Sequence, residues 1–161
     1  MVKLTSAQVW QEIERNLFAV LGMVTAHGEA RTVGIVYVVR YRKLYIGTGA
    51  STWKARHVAQ NPHVSLTIPL AKRIPLMPWF KIPAATITFS GTAMVQPAGA
   101  VDPEIIRTIF RGMTDIEDVL ANLCVIVVEP AGDFITYGIG IPLIKMRSPE
   151  LARGRAPVNP S

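Results

Sequence analysis

The sequence predicts an α+β domain that is mostly β, with six or seven antiparallel strands in a Greek-key barrel and short helices at its edges. Two observations favour this class: several short runs alternate apolar and polar residues, and clusters of turn residues separate them. A third is the lack of regular strand–helix alternation and of a Gly-x-Gly-x-x-Gly fingerprint, which disfavours a parallel dinucleotide-binding sheet. Closure into a barrel would remove exposed strand edges.

The first half of the chain predicts one helix and three strands. Residues 5–8 have the pattern of a capping box, and four apolar residues follow at helical spacing: Val9, Trp10, Ile13 and Leu17. Strands are predicted at residues 18–25 and 31–40, joined by a turn at His27-Gly28. A polar turn at residues 41–43 leads into a third strand at 44–48. We therefore expect a helix that covers one end of a sheet.

The middle of the chain predicts a short helix between two strands. Ser51 or Thr52 can cap a helix over residues 53–60, which Asn61-Pro62 ends. A fourth strand follows at 63–68. Prolines at 69, 75, 78 and 83 predict an irregular, apolar loop over residues 69–83. We expect this loop to cover an interface or a ligand.

The second half predicts three further strands. Alternation over residues 84–95 indicates a half-buried fifth strand, and Asp102-Pro103 is typical of a helix start. Thr114-Asp115 predicts another helical segment. Strands are predicted at 124–129 and 134–139 across a turn at 130–133, and the tail over 142–161 is expected to be irregular.

The composition favours one globular domain over residues 1–161. The chain is 50% apolar and 17% charged, with a net charge of +6 that favours anionic partners in general. Its single cysteine, Cys124, lies in an apolar run and indicates a reducing compartment. The N-terminus lacks an apolar signal core, and the apolar runs are too short to span a bilayer. We therefore expect a cytoplasmic protein that does not bind membranes. Nucleic-acid binding is not expected either, because the basic residues are dispersed and lack an aromatic platform motif.

Common catalytic and metal-binding patterns are not apparent. The three histidines have no carboxylate or cysteine at ligand spacing, so no metal site is expected. No serine lies in a nucleophile elbow, and Cys124 is predicted to lie inside a strand. Most acidic residues fall on predicted helix faces and caps. The sequence therefore identifies no catalytic residue.

Residues 47–56 combine an adaptable backbone, hydroxyl groups, a helix start and two cations. Free N–H groups and the dipole at a helix start favour an anion, Ser51 or Thr52 can donate a hydrogen bond, and Lys54 adds charge. An ordinary capped surface helix with solvated Lys54 and Arg56 explains the same residues. Taken alone, the segment is a candidate phosphate site with both interpretations open.

Several features occur in a familiar order. They are the opening helix, Arg31-Thr32-Val33-Gly34-Ile35, the strand at 44–48, Ser51-Thr52-Trp53-Lys54-Ala55-Arg56 and Asn61-Pro62-His63. In these features the sequence resembles the pyridoxamine 5′-phosphate oxidase-like, FMN-binding split barrels, over roughly residues 5–138. The C-terminal tail lacks the arginine and tryptophan pattern of true pyridoxamine phosphate oxidases, so that particular reaction is not expected.

The resemblance implies a set of cofactor-binding positions. Thr52 and Lys54 match the family's phosphate-binding serine and lysine, whereas Trp53 stands where an arginine is usual; Arg56 or a partner's basic residue could replace it. Arg31 matches a phosphate-contacting arginine. The other implied positions line the flavin ring or its cleft: Thr32, Val33, Gly34, Ile35, Ile46, Gly47, Thr48 and Thr86.

The resemblance also implies an activity. The expected protein is a flavin-dependent oxidoreductase that binds FMN at a homodimer interface and acts on a small molecule. A deazaflavin-dependent reductase is one alternative, because an acidic cofactor tail would suit the basic chain. A non-catalytic flavin carrier or sensor is another, because no substrate-binding residues are recognisable.

Overall fold

The computed structural model describes residues 2–70, 85–111, 120–142, 146 and 148–159. Four α-helices occur in this part of the chain: α1 (Ser6–Arg15), α2 (Trp53–Gln60), α3 (Pro103–Ile109) and α4 (Pro149–Ala152). The strands are β1 (Val2–Lys3), β2 (Phe18–Val24), β3 (Ala30–Val36), β4 (Val38–Arg40), β5 (Lys43–Gly49), β6 (His63–Leu70), β7 (Ala85–Pro97), β8 (Leu123–Tyr137) and β9 (Arg153–Pro157).

The strands form one strongly branched sheet. Its main path runs β1-β9-β8-β7-β6-β2-β3, and every pair is antiparallel except β1 with β9. β8 pairs with β7 along one edge, while its other edge carries β5 in the first half and β9 in the second. No ladder joins β3 to β5 in the described part of the chain. The result is the predicted mostly-β barrel, open between these two strands.

Two apolar clusters hold the barrel together. The larger lies between α1 and the main sheet, where the ring of Phe134 meets Trp10 and Phe89 edge to face. The smaller lies between α3 and β5, and contains Tyr45, Phe110 and their neighbours. Packing of α3 on β5 places the C-terminal end of this helix beside the opening in the barrel.

Several local predictions are confirmed by the structure. Thr5 caps α1 in a capping box with Gln8, and Asp102 caps α3, in which proline occupies the first turn. α2 ends at Asn61. The turn before β5 has φ values of 52° at Tyr41 and 55° at Arg42, the left-handed pair that joins antiparallel strands with the correct twist.

The strand predicted over residues 31–40 is interrupted at Tyr37. The Tyr37 side chain is buried, its hydroxyl donates to the carbonyl of Ile13 at 2.8 Å, and its amide donates to Leu17 O at 3.1 Å. β3 pairs with β2, whereas β4 pairs with β5, so the chain changes its strand partner at Tyr37. The apolar alternation continues through the break, which is why the sequence did not reveal it.

The prediction of a chain-reversing turn at residues 130–133 is wrong. This segment lies inside β8 as a bulge: Ala131 pairs with Ser90, and the next partner pair is Ile135 with Thr88. Gly132 supplies a positive φ of 73°. Turn-forming residues bend the strand here without reversing it, because β7 continues alongside on both sides of the bulge.

The tail predicted to be irregular contains α4 and β9. β9 alternates exposed and buried residues and pairs with β8, so a tertiary partner orders a segment with weak strand propensity. Pro69 and Leu70, assigned to the loop at 69–83, belong to β6 and pair with β7. The rest of that loop, together with the helix expected at Thr114-Asp115, lies outside the described residues.

Candidate functional site

A cavity of about 540 Å³ lies at the opening between β3 and β5. Its walls are formed by residues 34–36 of β3, residues 45–47 of β5, Lys54 of α2 and residues 108–111 at the end of α3, together with Leu17, Tyr37 and Val38 of β4. This volume falls within the ordinary range of small-molecule sites. The missing ladder between the two strands thus creates a cleft large enough for a ligand.

Two glycines, one on β3 and one on β5, allow aromatic side chains to pack against the strand backbone. A Cβ atom on Gly47 would lie 2.8 Å from Phe110 Cζ and would also collide with Ile109. A Cβ atom on Gly34 would lie 2.9 Å from Phe18 Cε2. The apolar rings of Phe18 and Phe110 therefore lie directly over the backbone, and the ring of Phe110 also lines the cleft.

Among the described residues, Arg111 and Lys54 are the cations that line the cavity, and Lys54 lies in the first turn of α2. It is half-buried and forms no ion pair with any described residue. Thr52 is the N-cap residue but gives no side-chain cap. Its hydroxyl donates to Gly49 O at 2.8 Å and lies 3.1 Å from Thr48 Oγ1. The first N–H groups of α2 are therefore not capped by Thr52 and remain suited to an anion.

Other predicted positions lie outside this cavity. Arg31 and Thr32 line a different groove, of about 470 Å³, together with Gly22, Ser65 and Ser90. Arg31 forms an exposed ion pair with Glu29 at 2.6 Å. The structure thus separates Arg31 and Thr32 from the cavity. It brings five of the predicted residues together there: Gly34, Ile35, Ile46, Gly47 and Lys54.

The remaining predicted residues have varied surroundings. Val33 packs against the larger core, and Thr48 is buried. Ser51 is exposed, and the Trp53 ring meets His57 edge to face at 5.7 Å. Thr86 pairs with Pro69 and Tyr137 and lines neither of the two cavities.

The comparisons with known proteins concern the fold. Neither a protein-family model nor a curated protein matches the sequence. Among solved structures, a putative pyridoxamine 5′-phosphate oxidase from Listeria innocua has a TM-score of 0.58 and 19% identity, covering 78% of this chain and 92% of that chain. An F420 reductase has a TM-score of 0.54 and 20% identity over 75% and 90% of the chains. HutZ, the heme storage protein of Vibrio cholerae, has a TM-score of 0.62 and 16% identity over 85% and 98%.

The chain has the pyridoxamine 5′-phosphate oxidase-like split-barrel fold. The expected resemblance is thereby confirmed at the level of architecture. Proteins with differently described functions share this split barrel, so the activity must be argued from the residues of the site.

Several residues that line the cavity of the split barrel are not predicted as site residues from the sequence. Leu17 was placed in the stripe of α1, but it lies beyond that helix and is exposed. The sequence predicts the start of α3 at Asp102-Pro103 but no role in the site for Phe110 or Arg111. Phe110 and Arg111 reach the cavity because α3 packs on β5. No local pattern links them to Gly47, although the position of Phe110 and Arg111 at the end of an amphipathic helix was a usable signal.

Two groups next to the cavity have pKa values shifted by burial. Burial raises the pKa of the Tyr37 hydroxyl well above its usual range. Burial also raises the pKa of the Cys124 thiol, which the ammonium of Lys54 partly opposes. Both groups are therefore neutral near pH 7, and the cysteine is not activated as a nucleophile.

Neither metal ligands nor a membrane span was found in the described residues. They contain no group of three or more histidine, cysteine, aspartate or glutamate side chains placed to hold a metal ion. In the same ranges, none of the helices has the length and apolar character needed to cross a bilayer.

Proposed function

We propose that this split barrel binds FMN in the cavity between β3 and β5 and acts as a flavin-dependent oxidoreductase on a small molecule. One observation carries the proposal: the free ammonium of Lys54 and the uncapped start of α2 lie at a cavity of ligand size. An ammonium group beside first-turn N–H groups suits a phosphate monoester. Solved structures described as a putative pyridoxamine 5′-phosphate oxidase and an F420 reductase share the fold and add support.

The other residues of the cavity suit a planar, largely apolar ring system. Ile46 is buried in the β5 wall, and Phe110 and Ile109 cover Gly47 on the α3 side. These side chains would exclude water from one side of a bound ring. Bound FMN would supply hydride or electron transfer, and the protein would supply phosphate binding, orientation and an apolar environment.

A homodimer would complete the site. Leu17 and Val36 line the cavity and are each 66% exposed, and Phe18, the strand partner of Val36, is 48% exposed. The three form an exposed apolar patch at the mouth of the cavity. We propose that a second copy of the chain covers this patch and closes the cavity, since two-fold homodimers are the most common assembly.

A titration of the purified chain with FMN tests the proposed binding. We expect saturable binding that perturbs the visible absorption of the flavin. Lys54→Ala should weaken the affinity about tenfold, or ~1.4 kcal/mol, by removing the phosphate's cationic partner. Lys3→Ala is a matched control, because Lys3 is an exposed lysine on β1 that does not line the cavity.

Two results would contradict the proposal of FMN binding. One is a wild-type chain that is colourless and fails to bind added FMN. The other is equal affinity in the Lys54→Ala and Lys3→Ala variants. A co-purified chromophore with a deazaflavin spectrum would support the related reductase instead. Anaerobic bleaching of bound flavin by a reduced nicotinamide would support an enzyme, whereas no reduction by any donor tried would favour a flavin carrier.

A further inference from the structure

A second cavity, of about 500 Å³, adjoins the proposed flavin cavity. The two share five lining residues: Leu17, Tyr37, Val38, Thr108 and Arg111. Tyr37 is fixed in this shared wall by its hydrogen bond to Ile13 O. A ligand in the second cavity would therefore lie next to a ligand in the first.

The second cavity carries two arginines that lack acidic partners. Arg40 and Arg111 are both exposed, and neither forms an ion pair with any described residue. Arg40 donates from Nη1 to the carbonyl of Val39, at 3.0 Å, and most of its other donors have no partner among the described residues. Glu14 also lines the cavity without an ion pair. Two guanidinium groups against one carboxylate give this cavity a net preference for an anion.

The turn that forms one wall is strained. Tyr41 and Arg42 have φ values of 52° and 55°, a region that side-chain-bearing residues other than Asn and Asp rarely adopt. Asn-Gly would make the same hairpin at lower cost. Tyr41, which is 76% exposed, and Arg40 both line the cavity. An aromatic ring and guanidinium groups around one cavity suit a ligand that has a planar part and an anionic group.

We infer that the second cavity binds the carboxylate or phosphate group of a planar substrate. Arg40 and Arg111 bind the anionic group, Tyr41 packs against the planar part, and Glu14 accepts a hydrogen bond from a donor on the ligand. This assignment rests on the proposed function, since it places the substrate next to FMN.

Isothermal titration calorimetry of the FMN-loaded chain with benzoate tests the inference, with benzamide as the neutral probe of the same shape. We expect saturable benzoate binding, with benzamide at least about tenfold weaker. Arg40→Met and Arg111→Met should each weaken benzoate binding about tenfold. Glu14→Gln should leave it unchanged or strengthen it, because a nearby negative charge is removed. Arg15→Met is the control, since Arg15 is exposed, pairs with Glu12 and lies outside the cavity.

Equal benzoate affinity in the wild type, Arg40→Met and Arg111→Met would overturn the inference, as would an absence of saturable binding by the wild type. Equal binding of benzamide and benzoate would also overturn it. The same titrations on the FMN-free chain separate this result from the proposed function. Benzoate binding that depends on the arginines, in a chain that fails to bind FMN, would support the anion site and contradict the flavin assignment.

Discussion

Tyr37 connects α1, the segment before β2 and the break between β3 and β4. Its hydroxyl donates to Ile13 O of α1, its backbone N–H donates to Leu17 O, and the residue lies between the end of β3 and the start of β4. Ile13 O also accepts a longer bond, of 3.3 Å, from the Asn16 amide. Loss of the hydroxyl would therefore leave this carbonyl with a partner. The residue thus positions the wall shared by the two cavities.

Tyr37→Phe should lower the free energy of unfolding by about 1 kcal/mol, because one buried hydrogen bond is lost without a large cavity. Urea denaturation followed by circular dichroism would measure the change. A cost near zero would show that the bond is not formed in solution.

Burial of Tyr37 also predicts a pH dependence. Because its pKa is raised in the folded state, the unfolded state ionises first. The contribution of the protonated, buried Tyr37 to the free energy of unfolding is fully present below about pH 10, the ordinary pKa of tyrosine. It is lost as the pH rises through the folded-state pKa. Stability should fall less steeply above pH 10 in Tyr37→Phe than in the wild type. Urea midpoints measured between pH 8 and about 11 would check this. Parallel curves would contradict it.

Cys124 is 3% exposed in β8, and burial keeps its pKa raised. A thiol that is both inaccessible and protonated should not react with Ellman's reagent at pH 7. We expect labelling only when urea unfolds the chain, which absorbance at the reagent's product band would show. Fast labelling of the folded protein would contradict the burial of this strand.

At the scale of elements, the packing of α3 on β5 forms the cavity. Gly47 allows this contact, because any Cβ atom there would collide with Ile109 and Phe110. The same contact brings Arg111 to the cavity wall. Sequence patterns predicted both elements correctly, but their contact joins residues that are far apart along the chain.

Gly47→Ala should destabilise the fold by about 1–3 kcal/mol, the usual cost of overpacking a close contact. Gly99→Ala is a suitable control, since no heavy atom lies within 4 Å of a Cβ placed there. Thermal unfolding of both variants would measure the difference. Equal melting temperatures would show that α3 adjusts without cost.

For the whole molecule, the exposed apolar patch at the cavity mouth is the surface that we propose a second copy of the chain covers. If a second copy covers Leu17, Phe18 and Val36, assembly and cofactor binding are coupled, because Leu17 and Val36 also line the cavity. A dimer would then bind FMN more tightly than a monomer.

Val36→Lys should convert a dimer into a monomer, because it places a charge in the proposed interface. Leu151→Lys, at another exposed apolar residue on α4, is the matched control and should remain dimeric. Sedimentation velocity would distinguish the two states. A monomeric wild type, or a dimeric Val36→Lys variant, would contradict the proposed interface.

Elements whose signals are local could be predicted from the amino-acid sequence. The capping box at Thr5, the Asp102-Pro103 start of α3 and the alternation along β7 depend on neighbouring residues, so they could be predicted. The pattern around Lys54 also marked the start of α2 as a candidate anion site. For the same reason, the mostly-β class was predictable before any contact was known.

The contacts between these elements depend on the tertiary packing of the chain. It turned the expected turn at Gly132 into a bulge, ordered β9 against β8, and separated Arg31 from Gly34 although both lie on β3. It also brought Arg111 next to the cavity. Each outcome depends on contacts between residues distant in sequence or on which side of the sheet a residue faces. The physical reason is that such contacts form only when α3 and the strands pack together, and local propensity carries no information about them.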